Sequence, residues 1–243
     1  MLALTVAAGV MSAATASQAY GDSLLASELR RHPQLKYAKV ILENPVKGEF
    51  QVGNRPARGS QIVLPLANAL GNQIGTVVFA MARRSKKSDA AKIASDISRH
   101  IYSASGLTEA DPFVPGAVRS AKAQQLIERE LKREPSLVTI AFHVALPGRE
   151  NQIIASNFGR IGKLADADDR RVIATSTVLQ EVTNGGKRFA VELPMLDRSG
   201  RTIGALSTSF SSTPGGQQDA YQSALRVRQD LARWIPQLDS LAG

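Results

Sequence analysis

The sequence predicts an α+β protein built from two antiparallel sheets, each with helices packed on one face. Three observations predict it: an internal repeat, strands of alternating polarity, and amphipathic helices at both ends of each copy. Glu28–Leu35 (ELRRHPQL) matches Glu130–Leu137 (ELKREPSL) at an offset of 102, with five of eight positions identical. Further on, Leu64-Pro65-Leu66 matches Leu193-Pro194-Met195, and Ile74-Gly75 matches Ile203-Gly204, at an offset of 129. The second copy therefore carries 27 extra residues between its first strand and its Leu-Pro strand.

Each copy reads in the same order. A helix ends before Pro33 or Pro135, because proline disfavours the α region for the residue before it and cannot continue the ladder. A strand follows at about 35–42 or 137–145, then a short one near 49–52 or 152–156. Two further strands, 60–66 with 73–81 and 188–195 with 202–210, are joined by polar turns holding Gly71 or Gly200, a hairpin signature. A helix closes each unit, marked by Ile93, Ile97 and Ile101 in the first copy and by Tyr221, Leu225, Leu231, Ile235 and Leu238 in the second. Pro236 ends or kinks the last one. The division is a leader at 1–19, a first domain at 20–104, a connector at 105–117 without periodicity, and a second domain at 118–243.

Composition narrows the class. Of 243 residues 43% are hydrophobic and 21% charged, which excludes disordered and fibrous chains. The net charge of +9 is spread over both halves with no basic tail, which argues against a nucleic-acid surface. The absence of cysteine excludes disulfides, thiolate metal sites and a Cys nucleophile. Residues 2–16 are uncharged and Ala-rich, and run into Ala14-Thr15-Ala16 and Ser17-Gln18-Ala19, with the small residues at −3 and −1 that a signal peptidase requires. No basic residue precedes Arg30, so the usual positive start is missing. Export to the periplasm or medium is the expectation.

Ile153–Lys163 (IIASNFGRIGK), an apolar strand ending in Ala-Ser-Asn and then an Ile-Gly-Lys turn, resembles the extracytoplasmic PAS-like sensor domains called Cache or PDC domains. So does the Gly200–Leu206 (GRTIGAL) hairpin. The resemblance covers about 120–240, and reaches 22–103 mainly through the repeat. It implies an antiparallel sheet with a long helix behind it and a small-ligand pocket in front, working beside a membrane-bound signalling or transport partner.

Strand residues i and i+2 share a face, so the copies can be compared face by face. One face is apolar in both: Ala38/Ile140, Val40/Phe142, Leu42/Val144, Ile62/Val191, Leu64/Leu193, Val77/Leu206 and Met81/Phe210. This face is assigned to the helices. On the other, Ile41 becomes His143, Val63 becomes Glu192, Val78 becomes Ser207 and Ala80 becomes Ser209. Four apolar positions turn polar together, in the copy with the insertion. A wet outer face is the plain reading. Yet Ala141, Ala190, Ala205, Ser207 and Ser209 are small for an exposed strand, which leaves room for a ligand.

The predicted site is His143, Glu192, Ser207 and Ser209 lining one cavity, with Asn157, Arg160 and Arg188 at its lid. Arg188 shares the strand face of Glu192, so the two could pair. Metal binding by His143 and Glu192 with Asp166, Asp168 or Asp169 lacks any HxH or HExxH spacing. A Ser–His–acid triad lacks the Gly-x-Ser-x-Gly turn. Neither catalysis nor a cofactor is expected. His32 and His100 are expected at the surface, and the basic run Arg83–Lys87 as a solvated strand exit. No Tyr lies between 103 and 220 and the one Trp is Trp234, so an aromatic cage for an amine is poorly supplied. Arg160, Lys163, Arg170, Arg171, Lys187 and Arg188 instead suit a small organic anion, a carboxylate in particular. The alternative is an accessory module in which both copies serve as protein-interaction surfaces.

Overall fold

The computed structural model describes residues 18–43, 45–54, 61–213 and 215–242. The leader read at 1–19 lies, up to residue 17, outside them. In the first domain, helix α1 (Tyr20–Arg31) is followed by strands β1 (Leu35–Leu42), β2 (Gly48–Gly53), β3 (Gln61–Ala67) and β4 (Gln73–Met81) and helix α2 (Lys87–Ser98). A short helix α3 (Ala104–Thr108) stands where the sequence suggested an irregular connector. The second domain holds α4 (Ala121–Arg133), β5 (Leu137–Val144), β6 (Gln152–Ser156), α5 (Ala167–Thr175), β7 (Leu179–Thr183), β8 (Arg188–Leu196), β9 (Thr202–Ser211) and α6 (Gln217–Trp234). No described helix is long and apolar enough to cross a membrane.

The repeat is topological as well as textual. The sheets run β2-β1-β4-β3 and β6-β5-β9-β8-β7, all antiparallel, so the second is the first with β7 added at one edge. Registers coincide: Lys39 faces Val78 as Ala141 faces Ser207, and Val63 faces Val78 as Glu192 faces Ser207. Even the irregularities recur, at Leu35/Tyr37 and Leu137/Thr139 and again at Leu66/Ala67 and Met195/Leu196. A shared register makes a position-by-position comparison of faces legitimate, since a slip of one residue would exchange the faces.

The helices lie on the predicted apolar face. Ile140, Phe142, Val144, Val191, Leu193, Leu206 and Phe210 form one core with Ile127 and Leu131 of α4 and Ala224, Val227 and Leu231 of α6. Ala38, Val40, Leu42, Val77 and Phe79 form the other with Leu24 and Leu25 of α1 and Ile93 and Ile97 of α2. The matching Glu-Leu-x-Arg segments have a physical basis. Glu28 and Glu130 are buried, and the Arg of each segment stands beside them, Arg31 at 2.9 Å and Arg133 at 3.6 Å, with Arg129 adding a contact of 2.7 Å to Glu130. A buried carboxylate needs such a partner.

Gly75 and Gly204 are equivalent, and each lets its strand pass close to the neighbouring backbone. A Cβ at Gly204 would lie 2.3 Å from the His143 carbonyl oxygen, and one at Gly75 would lie 2.0 Å from that of Ile41. Gly204→Ala should therefore lower the urea midpoint by an amount equivalent to about 2–3 kcal/mol, with an unchanged denaturant slope.

The two domains meet along α1, the end of α2 and α4. The Tyr20 hydroxyl donates to the carbonyls of His100 (3.1 Å) and Asn157 (3.3 Å), and Arg31 donates to Glu128 (2.9 Å). The Arg99 guanidinium donates to the Leu131 carbonyl. His100 is thus buried in the junction rather than at the surface, and burial lowers its pKa although Glu128 and Glu28 oppose the shift. His32 is half-buried, 3.2 Å from Glu28 and 3.8 Å from Asp96.

Candidate functional site

The 27 extra residues supply α5 and β7, neither of which was read from the sequence. Helix α5 starts on a reciprocal cap: Asp166 Oδ1 accepts from the backbone N–H groups of Asp168 and Asp169 (3.1 and 3.2 Å), while Asp169 Oδ2 accepts from that of Asp166 (2.8 Å). The Asp-x-x-Asp spacing 166–169 was the available signal. Ser176 ends the helix in the left-handed region at φ 55°. Strand β7 has no such signal, because Leu179-Gln180-Glu181-Val182 does not alternate.

Helix α5 packs across the outer face of the second sheet, opposite the main helix layer, and contacts β8 and β9. Its Asp169 points inward, with Oδ2 3.0 Å from Nδ1 of His143 on β5. Glu192 on β8 lies within hydrogen-bonding reach of the same carboxylate. The buried His143 and Asp169 and the half-buried Glu192 thus share one corner. Burial, then the hydrogen bond and charge of Asp169, push the Glu192 carboxyl up to about 9. Burial pushes Asp169 the same way, but the closeness of His143, at 3.0 Å, and of Glu192 outweighs it and holds Asp169 well below the usual carboxylate range. At neutral pH Glu192 is the protonated member of the acid pair.

Beside this corner the outer face opens into a cavity of about 410 Å³, whose wall includes Glu192, Ser207, Arg188, Thr139, Asp168 and Phe158. Arg188 on β8 donates from Nη2 to Thr139 Oγ1 (3.1 Å), and its guanidinium carbon lies 4.6 Å from the centroid of the Tyr102 ring. Its Nε is buried without a partner, as is Glu192 Oε1. Among the described residues no carboxylate forms an ion pair with Arg188. In the first copy Tyr37 stands at the position of Thr139 and is buried. Replacing an aromatic ring by a threonine is part of what makes room.

The structure brings together some of the predicted residues and separates others. Glu192, Ser207 and Arg188 border the cavity. His143 lies beneath α5, held to Asp169, and does not border it; Ser209 is fully buried, with its hydroxyl on that of Thr139. Arg188 and Glu192 do not pair, since one turns to Thr139 and Tyr102 and the other to Asp169. Asn157 and Arg160 are not at the lid. Asn157 bridges the domains instead: its side-chain oxygen accepts from the Ile140 N–H (2.9 Å), and its amide donates to the carbonyls of Val138 (3.0 Å) and Arg99 (2.6 Å). Arg160, with φ 61°, grips Glu109 with two hydrogen bonds of 3.0 and 3.1 Å. Both residues belong to the Ala-Ser-Asn/Ile-Gly-Lys segment, which here ties the second domain to the first through Asn157 and to the connector through Arg160. Among the described residues no group of three or more His, Asp or Glu side chains is placed to hold a metal ion.

Comparison with known proteins adds little. No protein-family model matches the sequence and no curated relative does. Among solved structures, the chain is similar to the inducer-binding domain of the PobR transcription factor from Acinetobacter, a double mutant in complex with 3-hydroxybenzoic acid. The identity is 13% and the TM-score 0.31, over 50% of this chain and 99% of that one. It is also similar to PelD of Pseudomonas aeruginosa, residue 158 to the C-terminus, at 15% identity and a TM-score of 0.26, over 90% of this chain and 78% of that one. At these scores neither likeness bears on what this chain does.

Proposed function

We propose that the second domain binds a small organic carboxylate in the cavity over its sheet and does not alter it chemically, so that the protein works as an exported sensor-type binding module. Arg188 carries this reading. A guanidinium at the wall of a cavity, half-buried and unpaired with any described carboxylate, is costly unless an anion completes it. Arg offers planar paired donors that suit a carboxylate. Ser207 adds a hydroxyl on the same face. Glu192, having given its proton to the bond with Asp169, presents its other oxygen as an acceptor, which favours a ligand that also carries a hydroxyl or N–H.

Calorimetric titration and thermal melting with acetate, lactate, succinate and benzoate, each against its amide, test this. A carboxylate at about 100 times its Kd should stabilise the fold by about 2.7 kcal/mol, and Arg188→Met should remove the effect. If no carboxylate raises the melting temperature, or Arg188→Met retains the shift, the reading fails. Export is tested separately by sequencing the amino end of the protein from its native cell. A start at Ser17 or Tyr20 supports export; an intact leader in the cytosolic fraction overturns it. A membrane-bound signalling or transport partner follows from the same reading, because a ligand that is bound and left unchanged serves only by being reported or handed on.

A further inference from the structure

We propose that the carboxylate site is shared by both domains, with Tyr102 of the first domain acting as the positioning residue for Arg188 of the second. The inference rests on the cavity reading above and adds a residue outside the second domain. Arg188 is restrained from two directions. The Tyr102 ring takes the face of the guanidinium, at 4.6 Å from carbon to centroid, and Thr139 takes Nη2 at 3.1 Å. Stacking on an aromatic face uses none of the N–H donors, so Nη1 and the second N–H of Nη2 stay free for two carboxylate oxygens, while Nε is buried without a partner.

The backbone that carries the ring is held by the first domain. The Tyr102 carbonyl accepts from the Asn68 amide at 3.1 Å, and the Ile101 carbonyl accepts from the Ala69 N–H at 2.7 Å. Asn68 in turn accepts from the N–H groups of Leu70 and Asn72, both at 3.0 Å, within the β3–β4 turn. On the second-domain side the ring meets Phe158, 6.0 Å away between centroids and tilted by 50°. A tyrosine ring, which residues 103–220 lack, is therefore lent by the other domain. This gives a part in binding to a first domain whose own sheet face carries Ile41, Val63, Val78 and Ala80.

The test compares Tyr102→Phe and Tyr102→Leu in the full chain, by calorimetric titration with succinate and benzoate. Phe keeps the ring face and should bind within about threefold of the wild type. Leu keeps bulk but loses the quadrupole, and should bind about tenfold more weakly, with no further loss when added to Arg188→Met. Melting temperatures without ligand report folding; if Leu unfolds the junction, Tyr102→Met takes its place. Wild-type binding that survives undiminished in Tyr102→Leu overturns this inference alone, as does an equal loss in Tyr102→Phe. Absence of carboxylate binding by the wild type overturns the cavity reading and this inference with it.

Discussion

Asp169→Ala should destabilise the protein by about 2–4 kcal/mol at neutral pH, more than any other single change at the site. Asp169 acts in two networks at once. It closes the cap at the start of α5, and losing such a cap costs about 1 kcal/mol. It also faces the buried His143 and the half-buried Glu192, two polar side chains that would lose their partner. Each stranded group costs about 1–3 kcal/mol, less whatever the helix recovers by shifting. Urea unfolding at constant slope measures the sum. Asp169→Asn, which keeps an oxygen for the Asp166 N–H and an amide for Glu192, should recover roughly half. A loss under about 1 kcal/mol for the alanine variant would show that α5 is not held to the sheet by this corner.

Glu192→Gln should change the pH dependence of stability more than its value at neutral pH. In the folded protein the Glu192 carboxyl is raised to about 9 by burial and by Asp169, whereas in the unfolded chain it titrates in the ordinary carboxyl range. A group raised on folding contributes stability that is fully present below its unfolded pKa and is lost as pH rises through its folded pKa. The wild-type melting temperature should therefore decline from mildly acidic pH towards about 9, and the Gln variant should remove most of that slope. Asp169 runs the other way. Its lowered pKa contributes stability above the ordinary carboxylate range, lost as pH falls below it. A wild-type profile as flat as that of the variant between pH 5 and 9 would mean that Glu192 is ionised in the fold. Carboxylate binding should weaken over the same alkaline interval, because an ionised Glu192 places a second negative charge beside the ligand.

How much of this was legible depended on how far apart the cooperating residues lie in the chain. Both sheets apart from the edge strand β7, the face that meets α4 and α6, and the divergence of the opposite face at His143, Glu192 and Ser207 could be read directly. Alternation with a period of two is local, and an internal repeat supplies its own comparison. The cap at Asp166–Asp169 is also written locally, in the Asp-x-x-Asp spacing. The roles of Asn157 and Arg160 were misassigned for a different reason. A turn motif announces backbone shape, but the side chains it projects can serve a cavity or a neighbouring domain equally well.

By itself the sequence determined the repeat, the strand faces and the place where extra chain had to cross a polar surface. These follow from the pleat and from hydrophobic burial, which act on every few residues. Only the tertiary structure decided that His143 would face Asp169, that Asn157 would tie the domains together and Arg160 hold the connector, and that Arg188 would lie against Tyr102. Each of these is a contact between residues distant in the chain, chosen by which buried polar group lacked a partner once the backbone was in place.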